Sequence, residues 1–194
     1  MNNELIYNLK LKHIKYPNLK SIESTGDGNC FFHSILKAVN INYFKSTDRS
    51  KFASEFRKSL AEYLNSVDST NICVYDKLSR GKLREFSQTL QEYSLENMTF
   101  ELHCNTPVDN RFNELICNYL NIDLYILDSE SEDLYITGND SDILYFNRPS
   151  VVILYTPGHY RLVGVAEDGD ITDFFHYSHS FIQYLQNRID IKLK

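Results

Sequence analysis

No stretch of this sequence stays apolar for long. The longest uninterrupted run, Val151 to Tyr155, is far short of the ~20 residues a membrane-spanning helix needs, so no membrane span is expected. The opening Met1 to Lys10 also lacks the apolar centre of a secretory signal. Basic excess is missing as well: 20 Lys and Arg against 26 Asp and Glu give a formal charge of −6. Phosphate neutralisation needs a basic face, so nucleic acid is not expected as a partner. The four cysteines, Cys30, Cys73, Cys104 and Cys117, contain no CxxC pair. That speaks for thiols in a reducing, cytoplasmic compartment rather than a disulfide framework. Repeats and low-complexity blocks are absent. What is present is ordinary for a globular chain: 194 residues, 42% hydrophobic and 24% charged. Such a chain buries roughly 70% of its unfolded surface and needs no metal or disulfide to hold a core. One domain over 1–194 is expected, functioning as a monomer.

The hydrophobic period changes along the chain. Asn2 to Lys20 mixes Leu5, Ile6, Leu9, Leu11 and Ile14 with basic residues and reads as a short helix or an extended arm. Ser21 to Asn29 reads as a small polar loop marked by Gly26 and Gly28. From Cys30, the residues Phe31, Phe32, Ile35, Leu36 and Val39 recur at helical spacing. Asp48 to Val67 predicts the clearest helix, capped by Thr47 or Asp48, with Arg57 and the other charges off its apolar stripe. One or two more helices are expected in Asp76 to Asn97, and another in Asp109 to Leu120. Beyond Leu120 the period shortens to 2. Ile122 to Leu127, Asp133 to Thr137, Val151 to Tyr155 and Tyr160 to Ala166 read as strands, the third covered on both faces because nothing in it alternates. Phe181, Tyr184, Leu185 and Ile189 suggest a closing helix. Helices early and strands late predict an α+β domain, a small mixed central sheet flanked by helices.

The densest chemistry lies in Asp27-Gly28-Asn29-Cys30-Phe31-Phe32-His33-Ser34. A glycine-bearing loop delivers a cysteine to the first turn of an apolar helix. Unpaired N–H groups and the positive end of the helix dipole favour a thiolate there. The same N–H groups can receive an oxyanion when sulfur attacks a carbonyl. Gly28 permits a positive φ and the close approach of a substrate. A thiol nucleophile needs a base placed by the fold. Of six histidines, His159 stands out, because Thr156-Pro157-Gly158 is a tight turn that sets it at the mouth of the sheet. His33, one turn after Cys30, has a ring that projects along its helix.

This segment resembles the Asp-Gly-x-Cys-Leu/Phe-Phe-Arg-Ala/Ser signature of the ovarian-tumour (OTU) domain cysteine proteases. Val151-Val152-Ile153-Leu154 and Gly158-His159-Tyr160-Arg161-Leu162-Val163 are similar to that family's strand, turn and histidine strand. Arg111 to Leu127 is similar to its helix and central strand. The resemblance spans about 21–166, leaving an N-terminal arm and a C-terminal helix outside. It implies a papain-like fold and a deubiquitinase that cleaves isopeptide bonds between the ubiquitin C-terminus and lysine. On the matching positions Cys30 is the nucleophile and His159 the general base. Asp27 is the motif's acid, and Asp27, Gly28, Asn29 and Cys30 form the oxyanion loop. Asn29, Gly158 and Tyr160 line the groove for the ubiquitin tail, and the variable segment Asp76 to Asn97 contacts its globular part. Ubiquitin or polyubiquitin is the implied partner, with no cofactor or metal. The Asn, Ile, Tyr and Lys content suits a viral or bacterial member acting in a host cytosol.

One position departs from the family pattern. Many members orient the histidine with Asp or Asn two residues after it, and here that residue is Arg161. Glu23, Asn18, Asp27 or a main-chain carbonyl are the candidate acceptors in its place. His33 and Ser34 stand where Arg and Ala are common and read as packing variation. A ubiquitin-binding module on the same fold, or a protease for a ubiquitin-like modifier, are the rival readings. Cys30/His33 and His176/His179 form CxxH and HxxH pairs, but about 140 residues separate them and no CxxC supports a zinc site. Asp168-Gly169-Asp170 reads as a hairpin turn. Asp128 to Asp133 reads as a solvated acidic loop that could also face the basic region around the ubiquitin tail.

Overall fold

Two hydrophobic periods build two kinds of layer. The computed structural model describes residues 5–131, 133–136 and 145–192. The chain opens with β1 (Ile6–Asn8) and β2 (Leu19–Ile22), then runs through α1 (Cys30–Val39), α2 (Ile41–Lys45), α3 (Arg49–Leu64), α4 (Val74–Lys77), α5 (Lys82–Phe86), α6 (Leu95–His103) and α7 (Asn113–Leu120). It continues with β3 (Asp123–Asp128), β4 (Leu134–Ile136), β5 (Ser150–Thr156), β6 (His159–Glu167), β7 (Asp170–Thr172) and β8 (Phe174–Phe175), and closes with α8 (Ser180–Lys192). The strands join in the order β1-β2-β6-β5-β3-β4, with β7 also on β6 and β8 on β5. Only β3 and β5 run parallel; the other pairings are antiparallel. The mixed sheet flanked by helices is the architecture the pattern predicts.

Alternation sorts the side chains of the central strands onto two cores. Leu124, Ile126, Val151, Ile153 and Leu162 face a core shared with α1, α3, α6 and α7. Tyr125, Leu127, Val152, Leu154, Val163 and Val165 face a second core closed by Phe181, Ile182 and Leu185 of α8. This explains the unalternating Val151–Leu154 run, which is buried on both faces.

Several expectations change on contact with the fold. The N-terminal segment makes strand β1, paired to β2 through Ile6–Ile22, where a helix or an arm was expected. Ser21 and Ile22 belong to β2, an interior strand, and not to a loop; four residues are too few for a period to register. The sheet therefore holds eight strands among the described residues against the four expected. Asp48, and not Thr47, caps α3 by accepting the Lys51 N–H at 2.9 Å. Arg57, expected off the apolar stripe of α3, is 1% exposed. The hairpin turn expected at Asp168-Gly169-Asp170 is found as read, joining β6 to β7 with positive φ at Asp168 and Gly169. Asn2 to Glu4 of the N-terminal segment, Thr137 of the expected strand and Glu132 of the acidic loop lie outside the described residues.

Helix α1 is the piece that matters most for the site. Cys30 to Lys37 are all buried, so the helix is enclosed on every side rather than on one stripe. Its polar residues His33, Ser34 and Lys37 are therefore inside the protein, where each needs a hydrogen-bond partner.

Candidate active site

The enclosed polar groups of α1 wire the cysteine to its surroundings. Ser34 Oγ donates to the Cys30 carbonyl at 2.8 Å and lies 2.7 Å from Ser24 Oγ. Lys37 Nζ donates to the Glu23 carbonyl at 2.7 Å. These two contacts staple the segment after β2 to the cysteine helix. His33 Nε2 is 3.0 Å from Asp27 Oδ1, and its Nδ1 is 2.8 Å from the Tyr43 hydroxyl. Burial, opposed by Asp27, lowers the His33 imidazole below its ordinary range. A neutral ring then donates from Nε2 and accepts from the phenol at Nδ1.

The loop before Cys30 is gripped from several sides. Asp27 Oδ1 accepts the Asn29 N–H at 3.0 Å, and Asp27 Oδ2 accepts the Ser50 hydroxyl. Desolvation pushes the Asp27 carboxyl up, but the Ser50, His33 and Asn29 donors prevail and hold it below its ordinary value. Gly28 sits at φ +82°, and a Cβ there would lie 2.7 Å from the Asn105 carbonyl oxygen. Its lack of a side chain thus makes room for the protein's own backbone. Arg57 completes the grip. Its guanidinium donates to Asn29 Oδ1 and to the carbonyls of Thr106, Leu102 and Glu101 at 2.6–3.1 Å. It also lies 4.9 Å over the Phe32 ring. Desolvation brings Arg57 down to about 10, so it stays a cation at neutral pH, satisfied by neutral oxygens.

This arrangement redistributes the roles expected for the loop. Asn29 is 2% exposed, its side chain is held by Arg57, and its N–H is taken by Asp27. It supports the loop from inside and does not wall an open groove. Asn29 does not cap α1 with its side chain either, so the first-turn amides of the helix stay uncapped. Among the described residues the Gly28 and Cys30 N–H groups have no hydrogen-bond acceptor. Cys30 itself is 7% exposed.

The histidine half is built from the sheet. Pro157-Gly158 joins β5 to β6, with Gly158 at φ +77° and Thr156 paired to His159, a turn in which Pro leads and Gly takes the positive φ. His159 Nε2 donates to Glu23 Oε1 at 2.5 Å. Among the described residues its Nδ1 has no hydrogen-bond partner. Glu23 follows the paired Ile22–Leu162 by one residue, so the adjacent strand delivers the carboxylate that is missing two positions after the histidine. Arg161 Nε lies 3.1 Å from the other Glu23 oxygen, an ion pair whose N–H is not aligned as a hydrogen bond. Asn18 sits at the far end of β6, where its carbonyl accepts the Ala166 N–H. Asp27 is engaged with His33. Of the candidate acceptors, Glu23 is the one on His159.

The halves meet through neighbours of the two named residues. The rings of Phe31 and Tyr160 pack edge to face, centroids 5.1 Å apart. Burial first, then the nearby Tyr155, Cys30 and Asp109, push the Tyr160 phenol up to about 12. Sequence reasoning gives Tyr43 and Ser50 no role, and reads His33 and Ser34 as packing variation and Arg57 as a charge off the apolar stripe. A signal existed for two of them: His33 and Ser34 lie inside a run with Phe31, Phe32, Ile35 and Leu36, too wide an apolar arc for a helix with a wet face. Among the described residues no group of three His, Cys, Asp or Glu is arranged to hold a metal. Nor is any helix among them long and apolar enough to cross a membrane.

No family model matches the chain, and no curated protein sequence matches it. Solved structures do. An ovarian-tumour (OTU) domain in complex with ubiquitin aligns over 87% of this chain and 81% of its own, at 13% identity and a TM-score of 0.57. An OTU deubiquitinase from Wolbachia pipientis aligns over 89% of this chain and 98% of its own, at 14% identity and 0.48. The viral OTU protease of Dera Ghazi Khan virus covers 77% and 82%, at 15% and 0.46. At such identities the likeness concerns architecture, and by that measure the chain has the fold of the OTU domains.

Proposed function

We propose that this chain is a cysteine deubiquitinase in which Cys30 attacks the isopeptide carbonyl at the ubiquitin C-terminus and His159 is the general base. The observation that carries the reading is the 2.5 Å bond from His159 Nε2 to Glu23. It selects the tautomer whose Nδ1 lone pair is left to take a proton. His159 removes the Cys30 proton, and the thiolate adds to the carbonyl carbon. The oxyanion is received by the Gly28 and Cys30 N–H groups, each worth about 2.7–4 kcal/mol of barrier by the usual cost of losing one such donor. Collapse breaks the C–N bond, the lysine amine leaves with the proton from His159, and water hydrolyses the thioester.

Ubiquitin is the proposed partner because the aligned OTU domain was solved with it. The near-burial of Cys30 suits an acyl donor that ends in two glycines. Tyr160 and Gly158 remain the proposed walls of the tail groove. We place the activity of a single, monomeric 1–194 domain in a reducing cytosol, where the thiol persists. The test is a ubiquitin whose C-terminus is replaced by an alkyne electrophile. An adduct at Cys30, lost in Cys30→Ala, together with cleavage of di-ubiquitin, is the expected result. Binding without an adduct would overturn the enzyme reading in favour of a binding module, and preference for another modifier's conjugate would reassign the substrate.

A further inference from the structure

The Asp27 carboxylate is the hub of the loop that leads into Cys30. Oδ1 accepts the Asn29 N–H and so closes the Asp27-Gly28-Asn29 turn. His33 Nε2 lies within reach of both oxygens, at 3.0 and 3.1 Å, and Ser50 donates to Oδ2. His33 and Tyr43 are wholly buried, and the tyrosine hydroxyl sits 2.8 Å from His33 Nδ1. One tautomer satisfies both contacts: the phenol donates to Nδ1, and Nε2–H donates to the carboxylate.

We propose that His33, held in this tautomer by Tyr43, is a positioning residue for acyl transfer, locking through Asp27 the turn whose Gly28 and Cys30 amides receive the oxyanion. The proposal rests on the function given above. Position in the chain is what distinguishes His33 from the other grips on the loop. Arg57 holds the loop from α3, and the Asn105 carbonyl in the segment after α6 lies close against Gly28. His33 lies one turn beyond Cys30 on the same helix, so its bond to Asp27 fixes the loop relative to the helix that the cysteine begins. A buried histidine that only filled space could take any two partners. This one gives its single donor to the carboxylate that shapes the turn.

Three variants separate the donor from the bulk. His33→Gln carries an amide N–H to where Nε2 stood, His33→Asn carries it to where Nδ1 stood, and Tyr43→Phe removes the tautomer's partner. Two rates are read on each: hydrolysis of a fluorogenic ubiquitin C-terminal conjugate, and alkylation of Cys30 by iodoacetamide. Alkylation displaces iodide from a saturated carbon and builds no oxyanion. His33→Asn is expected to lower kcat by about 10–100-fold with KM and the alkylation rate each within about twofold of wild type. His33→Gln should keep kcat within about threefold, and Tyr43→Phe should lose about 3–10-fold. Equal losses in both rates, equal losses for Gln and Asn, or no loss in His33→Asn would overturn the proposal. If His33→Asn does not fold, as judged by its melting curve, the split between the two rates in Tyr43→Phe decides alone. If the wild type cleaves no ubiquitin conjugate, the function reading falls by itself. The locking is then read from hydrogen exchange at the Asn29 amide, which should stay protected in His33→Gln and lose protection in His33→Asn; protection retained in His33→Asn overturns it.

Discussion

His159 and Cys30 reach the site on supports of opposite character. His159 begins a nine-residue strand that pairs with β5 from His159 to Val163 and with β2 from Leu162 to Val165, so the β5–β6 ladder places it whatever the neighbouring side chains are. Cys30 begins a helix whose preceding loop has no ladder at all. Asp27, His33, Ser50, Asn29 and Arg57 hold that loop side chain to side chain or side chain to backbone. The histidine half is accordingly robust to substitution in everything but its chemistry. The cysteine half concentrates structure and chemistry in the same few buried polar groups, each costly to leave unpaired.

The comparison is sharpest at Glu23. Glu23→Gln removes the charge on the His159 bond and leaves the strand ladder untouched. It should lower kcat by about 100-fold or more, as loss of an orienting acid does, with a melting temperature close to wild type. Arg161→Asp, which would supply the family's usual acid, should lower activity as well. It replaces an ion pair with a second carboxylate opposite Glu23, and like charges across a strand pair repel. A gain of activity in Arg161→Asp would show that Glu23 is not the working acceptor.

The cysteine half should break differently, losing stability together with activity. Arg57→Met strips the donor from four buried or half-buried oxygens and is expected to cost about 2–4 kcal/mol in urea unfolding. Gly28→Ala, strained at φ +82° and in collision with the Asn105 carbonyl, should cost about 2 kcal/mol and depress kcat in parallel. Retained stability with lost activity in either variant would blur the contrast between the halves.

The smallest effect is one of pH. His33 and Asp27 both titrate below their ordinary values of 6.5 and 3.8 in the folded protein. The unfolded chain therefore binds protons more readily at both groups. Stability is full above pH 6.5, erodes as His33 is forced to protonate below that, and erodes again as Asp27 protonates below 3.8. Melting temperatures followed from pH 7.5 downward should show the first step in wild type and not in His33→Gln. A step of equal size in both proteins would mean that another group carries it.

The reach of sequence reasoning follows the same division. The Asp27-Gly28-Asn29-Cys30 loop, the helix after it and the Pro157-Gly158-His159 turn are local, because a glycine, a cysteine at a helix start and a two-residue hairpin each declare themselves within a few residues. Strand β2 was hidden because Leu19–Ile22 is too short to show a period, and with it went the means of choosing Glu23 over Asn18. Only the register of β2 on β6 puts one of them beside His159 and the other seven residues along the strand. Arg57 falls off the apolar stripe of α3 because helical periodicity counts apolar residues and cannot tell a wet cation from one satisfied by carbonyls 44 to 49 residues along the chain.

By itself, then, the order of residues determined which groups could carry the proposed thiol chemistry and which of the longer segments are helix or strand, since those depend on side-chain type and on contacts within a turn or two. Tertiary structure alone decided which carboxylate bonds His159, which donors hold Asp27 and which amides of the loop are left without an acceptor among the described residues. Those side-chain pairings run from 6 residues, Asp27 with His33, to 136, Glu23 with His159, and a hydrogen bond is set by distance in space, which no spacing along the chain encodes.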